Sequence, residues 1–380
     1  MSGKSVLSAV CAGNGAFQAA ARRVAGQQQR SFTSTPLRNA SITHFTPASS
    51  PELDRLLSDI RSNIILPSYL PEEQRKKIYS TKWQKRLKAD PIVIDIDGEI
   101  IKFRYKNPLT DLPNTRKSVM TAITKFKTAA DFANLKPLLE GIYYTGRKLQ
   151  HGNYAKILRV TCAKGHVYDM IDCARSVRRT GYKIDSSEKV NELLHYVQLK
   201  ARDAEWDEAE TRQALRWADM VVEMLYDEAH QPKHPKDQPS LPGEIPLNRD
   251  PMVLAAQLHL AAVLASRYEV GEEILDKVHK LAQDIVLLWP EGKKLKELQP
   301  AELYQYGGRY AYLVYADKFV SLATPLLHGL ETAAKVVKPE LASQLQARCD
   351  TLRAEIDEAR GRVPPYATRH ADVYKRFYDA

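Results

Sequence analysis

Apolar positions recur at helical spacing from Pro51 almost to the end of the chain. Leu53, Leu56, Leu57 and Ile60 fall on one stripe. Pro51-Glu52 in front of them suits a helix start, because proline is tolerated in the first turn and a carboxylate complements the N-terminal dipole. Pro67 and Pro71 punctuate, and Pro71-Glu72-Glu73 predicts a second, strongly basic helix through Lys88. The period then changes. Ile92 to Tyr105 is two β-rich runs around Asp97-Gly98, which supplies the positive φ angles of a two-residue hairpin turn. An isolated hairpin is marginal, so this one must pack on something. From Thr115 the period is helical again. Trp206 and Trp217, eleven apart, are expected on one buried helix face. Residues 230–250 hold five prolines and read as a linker or long loop. Residues 250–289 read as two Ala/Leu-rich helices broken near Gly271, and 300–330 as a Tyr-rich helix interrupted by Gly307-Gly308. Residues 331–360 read as a last long helix, before a tail irregular after Pro364-Pro365.

Residues 118–152 align with 153–187 at an offset of 35, placing Thr145-Gly146 on Thr180-Gly181 and Lys148 on Lys183. Each copy is long enough for two helices ending in a glycine turn, and a two-helix period of about 33–35 marks helical-hairpin arrays. Such a hairpin cannot bury its apolar face alone, so neighbours must stack. The predicted fold class is mainly α, a helical-hairpin solenoid with one small N-terminal β-hairpin. The second copy, with Asn153-Tyr154, Cys162-Ala163-Lys164-Gly165 and the exit Thr180-Gly181-Tyr182-Lys183-Ile184-Asp185, resembles a pentatricopeptide repeat. Ile184 stands where that family has proline, and Met170 where it has alanine. The resemblance implies base-reading positions near Lys156 and Ser186. Two or three degenerate copies make no useful code.

Composition narrows the classes. Hydrophobic residues make up 44% and charged residues 27% of 380, the balance of a globular chain. No run approaches the roughly 18 apolar residues of a membrane span, and four scattered cysteines exclude a disulfide scaffold. Charge is uneven. Residues 61–190 carry 26 Lys/Arg against 13 Asp/Glu, while 191–380 carry 24 against 30. A basic front half points to a polyanion, with nucleic acid first among them. The first acidic residue is Glu52, and the Arg- and Ser-rich, acid-free stretch before it reads as a mitochondrial transit peptide over residues 1–40.

Catalytic chemistry does not surface. Gly3-Lys4-Ser5 lacks the upstream glycine of a phosphate loop, and Asp95-Ile96-Asp97-Gly98 lacks the closing glutamate of a calcium loop. Cys162, His166 and Cys173 have no second pair to complete a zinc set and read as buried repeat residues. His230 and His234 lack acidic or thiol partners nearby. No catalytic residue, metal site, cofactor or small-molecule substrate is expected.

The segment Arg61–Lys117, with Ile65-Leu66-Pro67, Tyr69-Leu70-Pro71, the hairpin and Leu112-Pro113-Asn114-Thr115-Arg116-Lys117-Ser118, resembles fungal mitochondria-specific ribosomal proteins. With the repeats, the resemblance spans Pro51 to Glu228. It implies a non-enzymatic ribosomal component in the mitochondrial matrix, expected on the large subunit, with ribosomal RNA and other mitochondrial ribosomal proteins as partners. Expected phosphate contacts are Lys76, Lys77, Lys82, Lys85, Arg86, Lys88, Arg116 and Lys117, and in the repeats Arg159, Lys164, Arg175, Arg178, Arg179 and Lys183. Five segments follow: the leader at 1–40, basic helices and hairpin at 41–114, repeats at 115–229, linker at 230–250 and C-terminal helices at 251–380. Two other readings remain open: a free pentatricopeptide-type RNA-processing or translation factor, and a protein-only assembly factor for a respiratory complex. Salt-dependent RNA binding separates the last from the others.

Overall fold

The computed structural model describes residues 42–232 and 241–378. The expected transit peptide at 1–40 and part of the proline-rich segment, residues 233–240, lie outside them. Among the described residues the regular structure is helical apart from one two-stranded antiparallel sheet. Helix α1 spans Pro51–Ile60, with the Ser50 hydroxyl capping Leu53 N–H and Leu53, Leu57 and Ile60 buried. The long basic helix expected to run from Pro71 to Lys88 is instead two: α2 (Glu72–Ile78) and α3 (Gln84–Ala89). A turn through Ser80 separates them, closed by Ser80 N–H on Lys77 O and Trp83 N–H on Ser80 O.

Strands β1 (Ile92–Ile96) and β2 (Glu99–Phe103) pair with Ile96 opposite Glu99, around Asp97 (φ 52°) and Gly98 (φ 82°). Arg61 Nη2 and Nη1 hold the Glu99 carboxylate at 2.6 and 3.1 Å, tying the hairpin to the turn after α1. Ile101 and Phe103 are buried beneath it. The ribbon therefore packs on the helices, as its marginal independent stability requires.

Helix α4 (Thr115–Lys125), the short α5 (Ala129–Phe132) and α6 (Leu135–Tyr144) form the first helical layer. Then follow α7 (His151–Cys162), α8 (Val167–Arg175), the single turn α9 (Val177–Thr180), α10 (Ser187–Asp203) and α11 (Glu208–Met224). After the insertion come α12 (Pro251–Arg267) and α13 (Glu272–Leu288), then α14 (Ala316–Ala334), α15 (Pro339–Arg360) and α16 (Arg369–Tyr378). Leading helices stack on leading helices: α4 on α7, α7 on α10, α10 on α12, α12 on α14. The second helices follow with α6 on α8, α8 on α11 and α13 on α15. This is the stacking of a helical-hairpin solenoid. Thr115, His151 and Ser187 open α4, α7 and α10 at equal steps of 36. Two long connections, after α11 and after α13, then break the period.

Helix α12 has no polar face. Pro251 to Leu264 are buried without a break, and a helix apolar all round must be central. Its two interior polar side chains are satisfied: Gln257 donates to Asp219 at 2.6 Å, and His259 reaches Gln198 and His328 at 2.8 Å each. No described helix is long and apolar enough to cross a membrane.

Two expectations need correction. Trp206 and Trp217 are both buried but do not share a helix. Trp206 lies in the turn between α10 and α11 at φ +65°, held by Trp206 N–H on Ala201 O. The Tyr-rich segment is not α-helical until Ala316; before that it holds only two short 3-10 turns, Ala301–Tyr304 and Ala311–Val314. Gly307 is left-handed, and a Cβ on Gly308 would sit 2.3 Å from Leu303 O, so the chain folds back on itself there. Two of its tyrosines plug the interior instead: Tyr310 donates to Asp250 at 2.6 Å, and Tyr312 meets Ser187 at 2.8 Å, while Tyr306 and Tyr315 are exposed. Burial pushes the phenols of Tyr310 and Tyr312 above their ordinary range.

Candidate nucleic-acid interface

The break between α2 and α3 concentrates charge. Arg75, Lys76 and Lys77 crowd the last turn of α2, where cations suit the helix C-terminus. The turn then folds Trp83 under them. Lys77 Nζ sits 5.1 Å and Arg86 Cζ 5.3 Å from the indole centroid, within cation–π range. Lys82, Lys85 and Lys88, on the same short stretch of chain, are exposed and make no ion pair among the described residues. Lys76 is exposed and pairs with Glu72 at 2.8 Å, a solvent-screened surface pair that contributes little.

At the start of α4, Asn114 caps the helix through Lys117 N–H. Arg116 and Lys117 are exposed, and Arg116 reaches Gln150 Oε1 at 3.4 Å.

The repeat cations divide. Arg159 is turned inward onto α10, 3.1 Å from Glu188 and 3.9 Å from the buried Glu192. Lys164 Nζ donates to Thr124 O and Phe126 O at 2.8 and 2.7 Å, closing the C-terminal end of α4. Arg179 is exposed but holds Glu140 at 2.8 Å. Arg175 and Arg178 are exposed without an ion pair among the described residues, and Lys183 is half-buried. Of the positions the repeat resemblance implies for base reading, Lys156 is exposed on α7. The Ser186 hydroxyl instead accepts from Lys189 N–H as the cap of α10.

Cys162 and Cys173 are buried, and burial raises both thiols, which removes them from thiolate chemistry. His166 stacks on Phe132 at 3.7 Å and meets Asp169 at 2.7 Å, so it is a packing residue.

One grouping was not visible in the sequence. Between α2 and the Thr145-Gly146 turn lies an open cleft of about 330 Å³, whose polar lining includes Arg75, Lys76, Tyr79, Thr145 and Arg147. Arg147 is positioned twice, by its N–H on Thr145 Oγ1 at 3.1 Å and its Nη1 on Thr115 Oγ1 at 2.6 Å. Burial raises the Tyr79 phenol, while Arg147 and Arg75 both act to lower it. The two guanidiniums and the hydroxyl line one cleft from separate elements. Only the left-handed turn at Gly146 (φ 72°), which carries the chain round to Arg147, was a legible part of this grouping.

A family model described as mitochondrial ribosomal protein mS27 matches residues 30–379. Among curated proteins, the small ribosomal subunit protein mS27 of Neurospora crassa is 38% identical over 354 residues, covering 89% of this chain and 89% of the relative. The expectation of a large-subunit protein is corrected by this match: the relative is a protein of the small subunit.

Proposed function

The chain belongs to the mS27 family of mitochondrial ribosomal proteins, and from that we propose that it is a structural, non-catalytic component of the small mitochondrial ribosomal subunit. A mitochondrial ribosomal protein works in the matrix, beside ribosomal RNA and other ribosomal proteins. The finer reading is a division of labour along the chain. The basic front half neutralises RNA phosphates, chiefly through Lys77, Lys82, Lys85, Arg86 and Lys88 around Trp83 and through Arg116 and Lys117 at the start of α4. The acidic, hairpin-stacked back half meets neighbouring proteins. The observation that carries this is the run of cations at Lys77–Lys88, with Lys77 and Arg86 on the Trp83 ring: crowded, largely exposed and short of acidic partners. Like charges so placed repel one another unless a polyanion lies against them. Arg159 and Lys164, occupied within the protein, take no part.

Mitochondrial lysate sedimented at low and high magnesium tests the assignment. The protein is expected with the small subunit, and to stay with it after the subunits separate. Its presence only in light fractions would overturn a ribosomal role and favour a free RNA-binding or assembly factor.

A further inference from the structure

The cleft between α2 and the Thr145-Gly146 turn has the chemistry of an anion seat. Arg75, Lys76 and Arg147 oppose a single carboxylate, Glu72, in its lining. That carboxylate is already engaged by Lys76 in an exposed pair that competes weakly with a better ligand. Arg147 spends one guanidinium N–H on Thr115 and retains the rest of its fork. The Tyr79 hydroxyl makes no hydrogen bond to another described residue. Two guanidinium forks and a phenol donor on a concave wall match the tetrahedral oxygens of a phosphate better than they match an ammonium or an apolar group.

The cleft is also continuous with the basic surface. Thr115, which fixes Arg147, is followed directly by Arg116 and Lys117, and α2 leads directly to the cations around Trp83. Resting on the ribosomal reading above, we propose that this cleft seats a backbone phosphate of the small-subunit ribosomal RNA. Arg75 and Arg147 take its non-bridging oxygens, and Tyr79 donates its O–H. The seat fixes register rather than sequence, because phosphate contacts position and base contacts specify.

The test uses the full chain and labelled transcripts that tile the small-subunit ribosomal RNA, with affinity followed against salt. The double variant R75Q/R147Q is expected to weaken binding about tenfold and to flatten the slope of log K against log salt by about one to two. The charge-matched control K335Q/K375Q, on exposed lysines of the back half, is expected to leave the slope unchanged. R75Q alone preserves the Arg147–Thr115 bond and guards against misfolding: part of the slope change should appear at an unchanged melting temperature. R75K/R147K should restore the slope but only part of the affinity, since an ammonium cannot supply the fork. Equal behaviour of R75Q/R147Q and K335Q/K375Q would overturn the cleft while leaving RNA binding intact. No salt-dependent binding by the unsubstituted protein would overturn the RNA reading and the cleft together.

Discussion

The ring of Tyr143 fills the space that a side chain on Gly181 would need: a Cβ there would lie 2.2 Å from Tyr143 Cδ2. Gly181 ends α9 and Tyr143 lies near the end of α6, so this contact fastens one hairpin to the next. Gly146, its partner in the repeat, has the same left-handed backbone (φ 72° against 66°) but open space around it. The two glycines separate conformational cost from packing cost. Gly146→Ala is expected to lose about 1 kcal/mol from the backbone alone. Gly181→Ala is expected to lose about 2–3 kcal/mol, because Tyr143 must also move. Urea unfolding midpoints at unchanged m would show the difference, and equal losses would remove Tyr143 from the account.

Asp131 is a buried carboxylate with four donors. It accepts from Ser49 N–H and Oγ–H at 2.7 and 2.8 Å, and from Lys127 and Thr128 N–H at 2.9 and 3.0 Å. Burial alone would raise its pKa, but these hydrogen bonds outweigh it and hold the group well below the usual carboxylate range. A depressed folded pKa stabilises the protein above the unfolded value near 3.8, and that contribution is lost as pH falls through the folded value. Stability is therefore expected to decline below about pH 4–5. Asp131→Asn should cost about 2–3 kcal/mol at neutral pH, since an amide cannot accept all four bonds, and should make the acid limb shallower. Thermal melts of both proteins between pH 3 and 7 would test this.

Glu192 is buried on α10, with Arg369 gripping both carboxylate oxygens at 3.0 and 2.7 Å from the start of α16. Removing one partner of such a pair strands the other charge. Arg369→Ala is expected to cost about 3 kcal/mol and to release α16 to protease before the rest of the chain unfolds. Arg369→Ala/Glu192→Gln should recover much of the loss, and a strictly additive double variant would argue against the pair.

Lys164 distinguishes a structural cation from an RNA-facing one. Its ammonium closes the end of α4, so Lys164→Ala should lower stability by about 1 kcal/mol and leave the salt dependence of RNA binding unchanged. Lys85→Ala and Lys88→Ala should do the reverse, each reducing the salt slope by about one.

These contrasts mark how far the residue pattern alone could reach. Local signals held: the Leu53/Leu57/Ile60 stripe, the Asp97-Gly98 hairpin, and the Thr-Gly pairs that end the hairpins. Each depends on a few adjacent residues. What failed depended on distant ones. That Arg159 pairs with Glu188 and that the exposed Lys164 closes the end of α4 could not be foreseen, because their partners lie 29 to 40 residues away. The tyrosines at 304–315 had α-helical spacing, yet Tyr310 and Tyr312 lie outside any α-helix and bond Asp250 and Ser187, 60 and 125 residues off. The cleft was hidden for the same reason, since Arg75 and Arg147 converge only after the hairpins stack.

The long connection that carries Tyr312 has a consequence for the order of events in synthesis. Tyr312 bonds Ser187 and Asn191, Lys318 bonds Glu188, Arg369 bonds Glu192 and Arg376 bonds Asp203, all reaching back to α10. A ribosome delivers α10 long before any of these partners. Asn191 must therefore wait for Tyr312, and Glu192 for Arg369, which is reached only near the end of the chain. The protein should be exposed to chaperones and proteases for most of its synthesis, and a chain cut short before Arg369 should be cleared rather than retained as a smaller working piece.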